Sequence, residues 1–194
     1  GSRTPVTLFL SSAPKIAAYA MALRVLGEGL VGLSSEWLQM LVFMAVLSMG
    51  VGNIAAIAQS NFKRMLAYST IAHMGFLLLG FIATSPGGYA SSMFYVVVYS
   101  IMGMGAFAAL LLVVNPSNLD EKITRFKGLS LTNPVASFMF LILMLSLAGI
   151  PPFAGFWAKW FVLKELVASG MLWLAVLAVI FSLIGAYYYL RIIK

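Results

Sequence analysis

Residues 134–167 read PVASFMFLILMLSLAGIPPFAGFWAKWFVLKELV. This run is too long for one straight crossing of a bilayer, which takes about 20 helical residues. Its centre, Leu147-Ala-Gly-Ile-Pro-Pro-Phe-Ala-Gly155, explains the excess length. Pro151 and Pro152 remove two backbone donors and clash with the preceding turn, while Gly149 and Gly155 relax the chain. The pattern predicts two half-helices, about 134–147 and 154–167, joined by an unwound stretch. Backbone groups freed at that depth must face protein or water, never lipid. Broken helices of this kind mark ion and substrate paths in transporters, although a packing kink without function is also common. Lys159 follows the break, as the sixth residue of the second half and between Trp157 and Trp160. An ammonium held that deep costs at least about 2.5–3.5 kcal/mol.

The rest of the chain has the same character. It is 62% apolar and 9% charged, where soluble domains average about 45–50% and about 25%. Such a chain cannot cover itself with polar surface in water, so its solvent is lipid. Further apolar runs fall at about 5–26, 36–59, 64–84, 89–114 and 170–191, without the period-two alternation of barrel strands. The fold class is therefore all-α integral membrane, with about six transmembrane helices, the fifth broken at Gly149–Pro152. The links are short: Gly27 to Ser35, Ser60 to Lys63, and the turn Ser85-Pro86-Gly87-Gly88. The exception is a surface loop over 115–133. There a short amphipathic helix is expected on the membrane surface, with Ile123, Phe126 and Leu129 facing lipid or protein. The chain opens Gly1-Ser2-Arg3, without methionine and with an apolar helix almost at once, which suggests a stretch of a longer subunit.

The net charge of +7 comes from twelve Lys and Arg scattered among apolar runs. No basic stripe exists to hold nucleic acid, so the charges are better taken as topology signals. Alternating links gather Arg3, Lys63, Arg64, Lys122, Arg125, Lys127, Arg191 and Lys194 on one side, against Arg24 and Lys164 on the other. That bias assigns both termini and the loop 115–133 to the cytoplasm or its equivalent. Tyr187, Tyr188 and Tyr189 suit an interfacial aromatic belt on the same side. The absence of cysteine excludes disulfides, thiolate catalysis and cysteine-ligated clusters. His73 is the only histidine, so a His-rich metal site is excluded as well.

Lys15 lies ten residues into the first run, about 15 Å deep and near mid-membrane. Burial favours the neutral amine and a neighbouring charge can restore the ammonium, so a buried lysine is a proton site that local charges can switch. Ser11 and Tyr19 stand four residues to either side, on one polar stripe. Snorkelling of Lys15 to an interface is the plainer alternative, and a structural ion pair is the alternative for Lys159. His73 is ten residues beyond Lys63, again near mid-depth; it can relay protons through its two nitrogens or be a hydrogen-bonded structural residue. Ser69 and Thr70 are one turn away and could orient it. Lys63 and Arg64 open their helix at the basic face, where they serve as anchors, with a proton role for Lys63 as the alternative. Tyr95 and Tyr99 either extend the polar path or pack. Gly50, Gly52, Gly103, Gly105 and Gly185 are expected to permit close helix contact. There is no phosphate loop, paired catalytic carboxylate or nucleophile elbow.

Three segments carry a family resemblance. Lys63-Arg-Met-Leu-Ala-Tyr-Ser-Thr-Ile-Ala-His-Met-Gly75 resembles a helix signature of the antiporter-like subunits of respiratory complex I, NADH:quinone oxidoreductase. That superfamily also includes multisubunit cation/proton antiporters and membrane-bound hydrogenases. Thr4-Pro-Val-Thr-Leu-Phe-Leu-Ser-Ser-Ala-Pro-Lys15-Ile-Ala-Ala-Tyr is similar to another of its segments, and Leu147 to Lys159 to a third. Lysine at 159 in place of glutamate, and Tyr99 in place of histidine, point to the subunit N branch, the counterpart of mitochondrial subunit 2. The resemblance implies that the six spans are helices eight to thirteen of fourteen, with Lys15 the central lysine, His73 on the hydrophilic axis and Lys159 the terminal lysine near an outlet. It also implies a non-redox subunit of a proton-pumping translocase that binds no cofactor itself. NADH, FMN, iron–sulfur clusters and quinone would belong to the complex as a whole. The expected partners are other membrane subunits of complex I and the lipid bilayer, with no nucleic acid. The expected setting is the bacterial inner membrane, an organellar inner membrane being the alternative. A cation/proton antiporter subunit and a structural scaffold stand as rival functions.

Overall fold

The structure, a computed structural model, describes residues 13–113 and 122–194, and of Leu112 and Arg125 only the backbone. The start of the first apolar run, with Arg3 and Ser11, and the loop residues Asp120 and Glu121 lie outside the described residues.

The described residues form helices throughout. Helix α1, Ala13–Ala22, runs on into a π-helical stretch, Leu23–Gly29, and a single 3-10 turn, Val31–Leu33. Helices α2 (Ser34–Ile57), α3 (Phe62–Ile82) and α4 (Pro86–Val113) follow. A 3-10 turn, Ile123–Phe126, and one α-turn, Leu129–Thr132, lead to α5 (Pro134–Ala148), α6 (Ala154–Ala168) and α7 (Leu172–Ile193). Four of these, α2, α3, α4 and α7, are long and apolar enough to cross a membrane singly. With 15 residues each, α5 and α6 are about 22 Å long, and only the two together make a crossing.

The helix ends follow from local chemistry. Asn61 caps α3, its side chain accepting from the Arg64 N–H at 3.1 Å, and Asn133 caps α5 from Ala136 at 3.2 Å with Pro134 behind it. The expected turn Ser85-Pro86-Gly87-Gly88 is instead the start of α4. Ser85 Oγ accepts from the Gly88 N–H at 2.8 Å, and proline suits a first helical position because it lacks the hydrogen that would go unpaired there. At the break, Gly149 adopts φ +83°, and the Ile150 N–H reaches back to the Leu145 carbonyl at 3.1 Å. With the Gly149 N–H on Ser146, this is a Schellman end, so α5 is terminated outright and not merely bent.

The polarity of the bundle is inverted relative to a water-soluble protein. His73 and Lys159 are only 5% and 8% exposed, while Ile54 and Leu183 are 68% and 69% exposed. Only an apolar solvent makes that arrangement stable. The tightest packing is of α2 on α3, where Gly52 lies against the backbone of Ala72 and Tyr68, and Gly75 against Ala45 and Met49. Gly103, expected at such a contact, meets nothing within 4 Å.

The basic residues gather at one end. Arg191 Nη1 donates to the Ile57 carbonyl at 3.3 Å, Ile123 N donates to Ser60 at 2.9 Å, and Asn61 bridges to Lys122. Lys164 and Glu165 lie at the other end, where Ser85 Oγ donates to Glu165 at 3.1 Å. Among the described residues of the loop after α4, the helical structure is a 3-10 turn and one α-turn, and Phe126 takes the protein-facing one of its two expected settings, 5.0 Å from the rings of Phe62 and Phe140. One expectation needs correction. Of the three consecutive tyrosines, only Tyr187 is exposed; Tyr188 and Tyr189 are buried, because the helical period turns them into the bundle.

Candidate functional site

A helical period of 3.6 puts Leu66, Thr70 and His73 of α3 on one face, towards Tyr95 and Tyr99 of α4. His73 is held on both ring nitrogens: Nδ1 lies 2.6 Å from the Tyr95 hydroxyl and Nε2 3.0 Å from that of Tyr189. Both partners are neutral hydroxyls, so the ring can be a neutral imidazole donating on one side and accepting on the other. Ser69 and Thr70, expected to orient it, do not. Ser69 Oγ donates to the Leu66 carbonyl at 2.8 Å, and Thr70 Oγ1 lies 2.8 Å from the Tyr99 hydroxyl and 3.0 Å from Leu66 O. The tyrosines do the orienting, because they arrive from neighbouring helices at the height of the ring.

Lys15 joins this group from α1. Its Nζ stands 4.5 Å above the ring of Tyr99, which also lies against the His73 ring, 4.5 Å between centroids. Its stripe partner Tyr19 turns to another task, donating to the Tyr89 carbonyl at 2.6 Å, which ties α1 to α4. Lys63 is not brought in. It is half-buried at the basic start of α3, about 15 Å along the axis from His73.

Lys159 reaches in from the far side of the same chamber. Its Nζ donates to the Ala148 carbonyl at 2.9 Å and to Ser182 Oγ at 2.8 Å, and stands 5.3 Å from the Phe76 ring. Ala148 is the last residue of α5, so its carbonyl is one that the helix break releases. The break thus supplies the lysine with an acceptor at a depth where intact helices offer none. Trp157 and Trp160 face outwards. Beside Lys159, Asn53, His73, Ser182, Gly185, Tyr188 and Tyr189 line a void of about 10 Å³, room for about one water molecule. Tyr188 donates to Asn53 Oδ1 at 3.2 Å, and Asn53 Nδ2 donates to the Phe181 carbonyl at 3.0 Å.

Lys15, Tyr99, His73 and Lys159 therefore fall in one row that crosses α1, α4, α3 and α6, through two ring contacts and the void, with α7 closing its side. Among the described residues, no group of three or more His, Cys, Asp or Glu could hold a metal. Sequence reasoning missed Asn53, Ser182, Tyr188 and Tyr189. The available signal was the spacing of Ser182, Gly185 and Tyr189, which puts small and polar residues on one face of an otherwise apolar helix.

Comparison with known proteins agrees with this architecture. NADH-quinone oxidoreductase subunit N of Thiobacillus denitrificans is 56% identical over 194 residues, covering 100% of this chain and 40% of that protein. The protein of the same name from Nitrosomonas europaea is 57% identical with the same coverage. The chain thus spans about two-fifths of the length of these curated relatives. Among solved structures, a chain of respiratory complex I from Thermus thermophilus with bound aureothin superposes with a TM-score of 0.84 at 37% identity, covering 100% of this chain and 42% of that one. A chain of the archaeal membrane-bound sulfane sulfur reductase gives 0.86 at 28% identity, covering 98% and 39%. The family described as "NADH:quinone oxidoreductase/Mrp antiporter, TM" matches residues 1–185, and the chain belongs to it.

Proposed function

We propose that this chain is the proton-conducting second half of a membrane subunit of an NADH:quinone oxidoreductase, of the subunit N type, with its spans the eighth to thirteenth of a fourteen-helix subunit. It performs no redox chemistry. NADH, flavin, iron–sulfur clusters and quinone belong to partner subunits in the same membrane, and quinone reduction there drives the movement. One observation carries the reading: a row of contacts leads from Lys15 through the Tyr99 and His73 rings and the Tyr189 hydroxyl to the void beside Lys159, within a bundle whose outward faces are apolar.

The geometry suggests how the row conducts. His73 can accept a proton on one nitrogen and release one from the other, which leaves the ring neutral with its tautomer exchanged. The hydroxyls of Tyr95 and Tyr189 both accept and donate, so either can pass that proton on. Beyond Tyr189, the void bridges the step to Lys159. A proton arriving there converts a neutral amine to an ammonium whose donors already point at Ala148 O and Ser182 Oγ. Positive charge at Lys15 opposes positive charge at Lys159 through a medium of low dielectric, so loading one favours emptying the other. Release is towards the end that carries Lys164 and Glu165.

The test is Lys15→Ala in the complete subunit, assembled in its complex. Assembly should persist, since Lys15 is half-buried and its contact is a ring face, while NADH-driven gradient formation in vesicles should fall severalfold or more. A full gradient would leave the scaffold reading in its place. The family description supports a second reading, exchange of a cation for protons. It would show as a sodium-dependent proton flux without NADH.

Sidedness follows from the basic end. Lys127 is exposed there, and the excess of Lys and Arg assigns that end to the cytoplasm. A cysteine replacing Lys127 should resist a membrane-impermeant maleimide in intact cells and react in inverted vesicles. The reverse pattern would invert the topology.

A further inference from the structure

The proton row does not account for the start of α4 and the end of α6. There the two helices part around a groove of about 280 Å³, close to the lower end of ligand pockets, about 300 Å³. It lies beside the first turn of α4 and the last turns of α6, at the end opposite the basic one, hence at the level of a bilayer interface. Its polarity is graded. Lys164 and Glu165 stand at the mouth, and Ala90, Phe94 and Phe161 form the walls on the membrane side. Phe161 is three residues, about 4.5 Å, deeper than Lys164 along α6, and Phe94 is seven residues, about 10 Å, beyond Gly87 along α4. The two rings meet edge to face at 5.6 Å, and each is 40% exposed, so the groove opens outwards. Ser91, also in the wall, donates to the Gly88 carbonyl at 2.8 Å and asks nothing of a ligand.

The charges at the mouth restrict the occupant. Lys164 and Glu165 are neighbours of opposite sign, and among the described residues neither is paired with an opposite charge. The carboxylate accepts from Ser85 and reaches the mouth because Gly87 has no side chain: a Cβ there would meet its oxygens. One hydroxyl leaves most of a carboxylate's acceptor sites open. A ligand must therefore bring an acceptor to the ammonium, a donor to the carboxylate and an apolar body to the rings. A free phosphate or an anionic headgroup would suit Lys164 but be repelled by Glu165, and a basic side chain the reverse. A trimethylated ammonium has no N–H to donate. An ethanolamine headgroup meets every condition. Its phosphate and primary ammonium are two carbons apart, facing two residues adjacent on one helix, and its acyl chains lead inwards past Phe161 and Phe94.

We propose that this groove binds one phospholipid with an ethanolamine headgroup, its phosphate on Lys164, its ammonium on Glu165 and an acyl chain against Phe94 and Phe161. The site is independent of the proton row, and either reading can fail alone. For the test, the complete subunit in its complex carries photoreactive benzoylphenylalanine in place of Phe94, one aromatic ring for another. The complex is reconstituted in vesicles of equal parts phosphatidylethanolamine and phosphatidylglycerol and irradiated, and the peptide around position 94 is analysed by mass spectrometry. Ethanolamine-lipid adducts should exceed glycerol-lipid adducts severalfold. Glu165→Gln, which removes the charge and keeps the shape, should bring the ratio to near parity. Lys164→Gln changes an exposed residue and serves where Glu165→Gln prevents assembly. It should reduce the excess part of the way, because the phosphate loses its partner while the carboxylate remains. Equal adducts with both charges in place mean contact with bulk lipid only and overturn the site. Crosslinks to a neighbouring subunit in place of lipid overturn it too, and a severalfold excess that survives both substitutions overturns the assignment of the headgroup.

Discussion

Lys159→Arg, in the complete subunit within its complex, is expected to assemble normally and to abolish the NADH-driven gradient that passes through this route. The comparison that matters is with Lys159→Ala. Removing the side chain leaves the Ala148 carbonyl and Ser182 hydroxyl without the donor they share, a desolvation cost of about 1–3 kcal/mol for each group left unpaired. Loss of pumping in the alanine variant could therefore reflect a loosened helix break. Arginine keeps the charge and supplies donors to both acceptors, but its guanidinium does not deprotonate in a protein. It preserves a structural role and removes a proton-carrying one. A positioned proton-transfer group is worth about 10²–10⁴-fold in rate, so flux through the arginine variant should fall at least to the lower end of that range. Native gels check assembly, and the quenching of a pH-sensitive dye in vesicles checks the gradient. An arginine variant that pumps at the ordinary rate would make Lys159 a structural plug for the end of α5, and the proposed conduction would be wrong.

The difference between the two lysines and the residues around them also shows what a sequence can reveal. Lys15, Lys159 and His73 stood out because each is a polar side chain inside an apolar run, where its cost demands a reason. The helix break stood out because proline and glycine act locally. By contrast, Asn53, Ser182, Tyr188 and Tyr189 gain their importance from helices that meet only in the fold. Tyr189 is 116 positions from His73 along the chain, and its place beside a basic terminus made an aromatic belt the more natural expectation. Ser69 and Thr70 misled for the complementary reason. They are close to His73 in sequence, but a hydroxyl on a helix can bond its own preceding turn, and both reach the Leu66 carbonyl. Proximity along a helix identified a face, and the partners across that face had to come from the packing.

The break itself can be taken apart by its two glycines, which it needs for different reasons. At Gly155 the obstacle is backbone: a Cβ would land on the Ser146 carbonyl oxygen, and the Gly155 N–H donates to Ser146 Oγ at 3.1 Å. Neither half-helix can retreat without losing that bond, which serves one of the unpaired donors at the start of α6. Gly155→Ala is therefore expected at the upper end of overpacking costs, about 3 kcal/mol or more. It should deplete the subunit from the assembled complex. At Gly149 the obstacle is different. The φ of +83° costs an alanine about 1–2 kcal/mol, and its Cβ would stand 2.9–3.2 Å from Cδ, Nζ and Cε of Lys159. That side chain is flexible and can move, so Gly149→Ala should assemble, but with the amine displaced from the Ala148 carbonyl and pumping reduced. Gly103→Ala, where nothing lies within 4 Å, should change neither, and controls for adding a methyl to a membrane helix. Subunit content by immunoblot and gradient formation separate the three. If Gly155→Ala assembled as fully as Gly103→Ala, the two half-helices would not be in contact at Ser146, and the break could not be what holds Lys159 in place.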